Sequence, residues 1–213
     1  MKYIILDFDG TIGDTQALIV RTLQETQKQL GLYIPSQEAC AATIGLRLDE
    51  AFMALNPAIT PAEAQHCAAT YRNIFEENKQ HMVIAPFPHV IDTLRRLHAD
   101  GKVLAIASSR SSDSLEGYID QLHIGEYISC VVSGDDVEHA KPAPDMVFMV
   151  LERLHGTAEE ALVAGDMAYD IDMGRNAGTK TCGVTYGNGT RDELANADYV
   201  IDDFAELLDI VKE

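Results

Sequence analysis

Two carboxylates stand at the end of the first predicted strand. Residues 3–7 form a short run that Asp7 closes, and Asp9 follows two residues later. Gly10 permits a sharp turn, so both carboxylates could converge at the sheet edge where ligands of open α/β folds bind. A turn in which an aspartate only caps the next helix is the simpler alternative. The spacing therefore indicates a ligand site, with helix capping as the competing interpretation.

Hydroxyl and ammonium groups follow the next two predicted strands. Ser108 comes directly after the run at 102–107, where its hydroxyl and the free backbone N–H groups could bind an anion. Lys141 follows the third strand, and Pro142 and Pro144 stiffen the chain around it, so this lysine could hold a phosphate. Each residue also has a plain interpretation, the serine as a helix N-cap and the lysine as a solvated side chain.

Two more acids, Asp166 and Asp170, follow the apolar run at 161–165. Four carboxylates at one sheet edge would repel one another unless a cation lay among them. Hard oxygen ligands in an open site suit Mg²⁺, with water and phosphate completing its octahedron. These acids could instead cap a helix. Because four polar motifs follow four strands in order, we favour one shared site that binds Mg²⁺ and an anion.

The elements that must position these residues alternate along most of the chain. Residues 1–14 and 86–213 show strand–helix repeats, which predict an α/β fold with a parallel sheet covered on both faces. Residues 15–85 have a helical pattern without a strand signal, so we predict an inserted cap domain. The predicted strands are 3–7, 102–107, 129–133, 161–165, 180–185 and 199–201, and the predicted helices are 15–31, 60–81, 90–101, 111–123, 143–155, 167–177 and 204–211.

Composition excludes several classes of protein. The 213 residues include 16 Lys and Arg against 34 Asp and Glu, a net charge of −18, which predicts neither a nucleic-acid partner nor an anionic membrane partner. No apolar run approaches a membrane span or a signal peptide. The four cysteines form no CxxC pair and match no zinc pattern, so we expect reduced thiols and a cytoplasmic protein.

The motifs together resemble those of a known superfamily. Asp7-Phe8-Asp9-Gly10-Thr11, Ser108, Lys141-Pro142 and Gly165-Asp166 with Asp170 resemble the four motifs of the haloacid dehalogenase superfamily. The likeness is strongest to its phosphoglycolate phosphatase-like and β-phosphoglucomutase-like branch. It implies a doubly wound, Rossmann-like parallel-sheet core with an all-helical cap inserted after the first motif.

The resemblance also implies roles for these residues. Asp7 would attack phosphorus and form an aspartyl-phosphate, and Asp9 would protonate the leaving group and then activate water. Asp7, the backbone carbonyl of Asp9 and Asp166 would hold Mg²⁺. Ser108 and Lys141 would bind the transferring phosphoryl group. Asp170 would support the metal, either as a direct ligand or from behind the direct ligands.

Further residues are candidates for binding substrate: Gly10, Ser109, Arg110 and Arg47. Arg110 stands where relatives frequently carry lysine, so it is either a second cation near the phosphate or a solvated residue at a helix start. Arg47 lies in a predicted cap turn at Gly45 and could bind a carboxylate or second phosphate, or pair with Glu50 or Glu38 at the surface. Gly13 stands where relatives carry a larger residue, which predicts a loose hinge to the cap.

Hydrolysis of a small phosphomonoester, phosphoglycolate-like or a sugar phosphate, is the leading functional prediction. Asp9 argues against dehalogenation, because dehalogenating members lack an acid there. Ile19 stands where hexose-phosphate mutases carry histidine, and Lys28 and Lys79 lie in polar helical runs that suit solvent better than Schiff-base chemistry. Inorganic pyrophosphatase is the alternative, and an inactive binding or regulatory module is a further one. The partner would be a small phosphorylated metabolite, and the chain would act as a monomer or homodimer.

Overall fold

The structure, a computed structural model, describes residues 1–212. Eight strands are present among them: β1 (Tyr3–Leu6), β2 (Gly13–Asp14), β3 (Ala85–Pro86), β4 (Val103–Ala107), β5 (Ile128–Val132), β6 (Ala161–Gly165), β7 (Lys180–Val184) and β8 (Tyr199–Ile201). The helices are α1 (Gln16–Gln29), α2 (Gln37–Ala41), α3 (Leu48–Leu55), α4 (Pro61–Asn78), α5 (Val90–Ala99), α6 (Ser112–Gln121), α7 (Asp145–Leu154), α8 (Ala168–Asn176) and α9 (Leu207–Ile210).

Six strands form one parallel sheet in the order β5-β4-β1-β6-β7-β8. Leu6, near the end of β1, pairs with Ile106 of β4 on one side and with Ala164 of β6 on the other. The carboxyl ends of these three central strands therefore lie side by side. This alignment brings the motifs that follow them to one edge, and it confirms the predicted α/β fold.

The sheet is buried on both faces because its central strands are apolar at every position. In β1, Ile4 and Leu6 pack into one cluster, and Tyr3 and Ile5 pack into a second cluster on the opposite face. All four side chains are at most 4% exposed. Burying each large apolar side chain contributes about 1.5–3 kcal/mol, so the strand that carries Asp7 and Asp9 is firmly anchored.

Helices α1 to α4 occupy residues 15–85, which we call the helical segment. Its longest helix, α4, begins with the predicted capping box, in which Thr60 and Glu63 satisfy each other's backbone N–H groups, and it ends at Asn78 rather than near residue 81. Gly45 lies between the short helices α2 and α3 with a φ of 99°, a conformation that only glycine adopts freely. This confirms the tight turn predicted there.

The two chain crossings between the helical segment and the sheet pair with each other. β2 and β3 form a short antiparallel ribbon in which Gly13 lies opposite Pro86 and Asp14 opposite Ala85. A Cβ atom at Gly13 would lie 3.0 Å from the Phe8 ring. The structure thus corrects the expectation of a loose hinge, because Gly13 lies in a paired strand and packs closely against Phe8. This ribbon was not predicted.

The remaining predictions for the fold hold within a few residues. The short strand at 199–201 is present, and the terminal helix splits into a 3₁₀ turn at Phe204–Glu206 followed by α9. All four cysteines are free thiols, and three of them are buried. Within residues 1–212, no helix is both long and apolar enough to cross a bilayer.

Candidate active site

Lys141 lies between two carboxylates in the interior. Its Nζ donates to Oδ1 of Asp7 at 2.5 Å and to Oδ1 of Asp170 at 2.7 Å. Burial opposes its charge, but Asp170 and Asp7 hold the pKa of Lys141 above its usual value. Lys141 is only 2% exposed, which contradicts the interpretation of a solvated loop lysine. It fixes the orientation of Asp7 and also neutralises part of the charge around it.

Asp166 is held by a different set of donors. Its Oδ2 accepts from the backbone N–H of Asn188 at 2.7 Å and from the Asn188 side-chain amide at 2.8 Å, and its Oδ1 accepts from Thr11 Oγ1 at 3.3 Å. A Cβ atom at Gly10 would overlap both the Asp166 carboxylate and the Asn188 amide. Gly10 therefore permits the close approach of these groups, and nothing in this geometry makes it a substrate ligand.

Asp7, Asp166 and Asp170 together form a buried acidic cluster. Each offers an oxygen within 4.8 Å of the others. Burial raises the pKa of Asp7 well above its usual range, while the Lys141 ammonium opposes that rise. Burial and the Asp170 charge raise the pKa of Asp166 to about 7. Burial thus disfavours the charged forms of these carboxylates, and the Lys141 ammonium compensates only part of their charge. Carboxylate oxygens are hard donors, which suit a divalent ion.

Asp9 points to a separate set of partners. Arg110 donates to it through Nε, at 2.8 Å from Oδ2 and 3.0 Å from Oδ1, and through Nη2, at 2.8 Å from Oδ1. Thr15 Oγ1 also donates to Oδ1, at 2.6 Å. Arg110 is therefore not a solvated residue: it lines the cavity beside Asp9, and its Nε and Nη2 donate to the Asp9 carboxylate.

The other candidates lie close by, with differing surroundings. Ser108 is buried at the end of β4, and its Oγ accepts from the backbone N–H of Arg110 at 3.4 Å. Ser109 Oγ donates to the carbonyl of Gly45 at 2.6 Å, so this side chain joins the sheet edge to the helical segment. Ser108 is thus placed to face a ligand beside Asp7, and Ser109 makes a contact that the sequence did not predict.

A cavity of about 700 Å³ lies between the sheet edge and the helical segment. Asp7, Asp9 and Ser108 line one side, and Arg47 lines the other. Arg47 lies 3.6 Å from Asp49 and donates to the Glu138 carbonyl at 3.4 Å, instead of pairing with Glu50 or Glu38. Its charge is therefore available at the cavity wall, although its guanidinium already has weak protein contacts.

Several site residues were missed from the sequence. Thr11 and Asn188 bind Asp166, and Thr15 binds Asp9. Asn188 lies between two glycines just beyond β7, the fifth predicted strand. A polar residue at that place could have been predicted to lie at the same sheet edge as the other motifs. The contact of Arg110 with Asp9 joins residues 101 positions apart, and no local pattern indicates it.

The chain is similar to known hydrolases over most of its length. The family model of haloacid dehalogenase-like hydrolases matches residues 4–184. Pyrophosphatase PpaX of Anoxybacillus flavithermus is 32% identical, covering 98% of this chain and 95% of its own. A probable phosphatase, IndB of Dickeya dadantii, is 32% identical over 96% of this chain and 91% of its own.

Solved structures show the same fold. A crystal structure described as a predicted phosphatase from Clostridium acetobutylicum superposes with a TM-score of 0.90 at 21% identity, covering 100% of this chain and 99% of that one. The match to the family model spans the strands that carry all four motifs. The chain belongs to the haloacid dehalogenase-like hydrolase family and is a phosphatase of that family.

Proposed function

We propose that the protein is a Mg²⁺-dependent phosphatase that hydrolyses a small organic phosphomonoester through an aspartyl-phosphate on Asp7. The observation that best supports this proposal is that the carboxylates of the site form two separate groups. Asp7 lies with Asp166, Asp170 and Lys141, whereas Asp9 is held apart by Arg110. The proposed nucleophile, Asp7, and the proposed acid–base residue, Asp9, therefore have different surroundings, as a two-step displacement requires.

In the first step, Asp7 forms a bond to phosphorus while the bond from phosphorus to the ester oxygen breaks. Lys141 donates to Oδ1 of Asp7, so we assign the attack to Oδ2. Ser108 lies beside the nucleophile, where its hydroxyl can donate to a phosphoryl oxygen. Asp9 gives a proton to the departing alkoxide, which leaves as an alcohol.

In the second step, water attacks the phosphorus of the aspartyl-phosphate and Asp9 takes its proton. The bond from phosphorus to Asp7 breaks, which releases inorganic phosphate and restores the carboxylate. Asp9 then carries the proton needed for the next turnover. The helical segment covers the cavity, so we propose that residues 15–85 act as a cap that limits water during the first step.

The acidic cluster fits a magnesium ion. We propose Asp7, Asp166 and the backbone carbonyl of Asp9 as its protein ligands. Asp170 accepts from Lys141 and from the backbone N–H of Met167, so we assign it the role of orienting Lys141. Bound there, Mg²⁺ would neutralise carboxylate and phosphoryl charge.

Inorganic pyrophosphate is the second candidate substrate. Relatives at 32% identity carry the name pyrophosphatase, and Arg47, Arg72 and Lys79 line the helical side of the cavity, where they could bind a leaving phosphate. Ile19, Leu23 and Leu46 also line the cavity, and its volume exceeds what pyrophosphate needs. We therefore favour an organic ester.

The reduced cysteines support a cytoplasmic location.

Phosphate release across a panel of small esters and pyrophosphate, with Mg²⁺ and with chelator, tests this proposal. We expect Mg²⁺-dependent turnover that Asp7→Asn abolishes. Asp172→Asn is a matched control, since this exposed aspartate lies on α8 near the site but outside it. Turnover that is unchanged in chelator, or that survives Asp7→Asn, would contradict the mechanism, and preference for pyrophosphate would select the second candidate.

A further inference from the structure

Arg110 connects the candidate acid–base residue to the helical segment. Its guanidinium pairs with Asp9, and the Arg110 and Asp9 side chains are only 9% and 11% exposed. Nη1 donates to Ser114 Oγ at 2.8 Å. The attraction between two charges buried this deeply offsets their desolvation only when the hydrogen-bond geometry is good, as it is here. Arg110 is therefore built into the protein framework, and its donors face Asp9 and Ser114.

Aromatic rings surround the guanidinium. Its central carbon lies 4.8 Å from the centroid of the Tyr118 ring, 5.1 Å from that of Phe75 and 6.0 Å from that of Phe8. Tyr118 and Phe8 belong to the sheet domain, whereas Phe75 belongs to α4 of the helical segment. The position of α4 therefore bears directly on the position of Arg110.

The contacts also distinguish the two oxygens of Asp9. Oδ1 accepts from Thr15 and from two nitrogens of Arg110, whereas Oδ2 accepts from Arg110 Nε alone. A guanidinium only donates, so neither contact supplies the acid's transferable proton. Oδ2 keeps a free lone pair and is the oxygen that can carry this proton. The paired contacts also prevent the carboxylate from rotating.

We propose that Arg110 is a positioning residue for proton transfer: it holds Asp9 with Oδ2 available to the leaving group, and Phe75 of α4 holds Arg110 in turn. This inference rests on the proposed role of Asp9 as general acid. It also replaces the prediction that Arg110 binds substrate. Proton donation is thereby tied to the docked position of the helical segment, which contributes both Phe75 and Thr15 to this arrangement.

Two aryl esters of similar size test the proposal. Phenyl phosphate needs a proton on its leaving group much more than p-nitrophenyl phosphate does. The values of kcat/KM, measured with Mg²⁺, report the first step. Relative to wild type, we expect Arg110→Met to lower kcat/KM about a hundredfold on phenyl phosphate and less than about tenfold on p-nitrophenyl phosphate. Asp9→Asn should show the same selectivity.

Milder variants keep the test valid if Arg110→Met folds poorly. Arg110→Lys retains a point charge but not the paired contacts, and should lie between wild type and Arg110→Met. Phe75→Leu should show the same selective loss, about tenfold on phenyl phosphate. Arg95→Met, which breaks an exposed pair with Asp92 outside the cavity lining, should leave both esters unchanged. Far-ultraviolet circular dichroism establishes that each variant is folded.

The outcomes separate the two proposals. If Asp9→Asn shows no selectivity between the esters, its role as general acid fails. If Asp9→Asn is selective but the folded Arg110 and Phe75 variants lower both esters equally, only the positioning role fails. A rise in KM on both esters at unchanged kcat in the Arg110 variants would assign Arg110 to substrate binding, and would also overturn the inference.

Discussion

The charged side chains on the two sides of the cavity differ in their exposure to solvent. On the sheet side, behind the residues that line the cavity, Lys141 pairs with Asp7 and Asp170, and the lysine side chain is wholly buried. On the helical side, Lys79 pairs with Glu76 in side chains that are 42% and 57% exposed, and Arg72 makes no ion pair within the part of the chain that is described. The sheet side thus contains a network of desolvated charges, whereas the cations of the helical side, two of them beside acidic residues, are partly exposed to water.

This difference indicates what each wall can tolerate. A desolvated charge depends on its partner, so a substitution on the sheet side leaves an uncompensated group and alters the whole cluster. A hydrated side chain on the helical side costs little to replace. We therefore assign the chemistry to the sheet side and the choice of substrate to the helical side, and the following predictions test that division.

The largest effect should come from the nucleophile. Asp7→Asn keeps the shape of the side chain but removes the attacking anion, so kcat should fall by more than about a thousandfold. Steady-state phosphate release measures it, with circular dichroism as a check of folding. Residual turnover above about a hundredth of wild type would require another nucleophile.

Next in size is the loss of the buried cation. Lys141→Met leaves Asp7 and Asp170 without their paired cation and should lower the free energy of unfolding by about 3–5 kcal/mol. Lys180→Met is the matched control, because Lys180 pairs with Asp198 at the same 2.7 Å as Lys141 with Asp170, but at an exposed position. That variant should lose at most about 1 kcal/mol in urea denaturation. Equal losses would remove the contrast between the two kinds of pair.

Magnesium should stabilise the sheet side specifically. At a concentration a hundredfold above its dissociation constant, Mg²⁺ should add about 2.7 kcal/mol to the free energy of unfolding and raise the Tm. Asp166→Asn should greatly reduce this gain, whereas Asp49→Asn, on the helical side, should retain it. A thermal shift that is equal in both variants would place the ion elsewhere.

The smallest effect should come from the helical side. Arg47→Ala should raise KM about tenfold for an ester that carries a second anionic group, and should change the free energy of unfolding by less than about 0.5 kcal/mol. Its effect on p-nitrophenyl phosphate, which lacks that group, should be slight. Equal losses on both esters would show that Arg47 supports the structure rather than substrate binding.

Local patterns predicted most of the sheet and the sheet side of the site. Each central strand is an apolar run closed by polar residues, and parallel strands align those closures at one edge, so Asp7, Ser108 and Asp166 could be brought together from sequence. The β2–β3 ribbon could not, because strands of two residues containing Gly13 and Pro86 lack the alternation that marks a strand.

Arg110 shows where prediction from sequence stops. Its place at a predicted helix start suggested a solvated residue, and the family resemblance suggested a second cation near the phosphate. Its position instead depends on Asp9 and on rings from two separate parts of the chain. Such a contact is decided by tertiary packing. Ser109 is similar, since its partner, the Gly45 carbonyl, belongs to a turn 64 residues away.

The ribbon also bears on how such a molecule can change its specificity. Opposing Cα atoms of an antiparallel pair lie about 4.5–5.5 Å apart, so the helical segment leaves the sheet domain and returns to it at nearly one point. An insertion with adjacent ends can be lengthened, shortened or exchanged without moving the strands that flank it. We therefore expect chimaeras that carry the corresponding helical segment of a relative to fold, to keep the residues of the sheet side and to accept a different range of substrates.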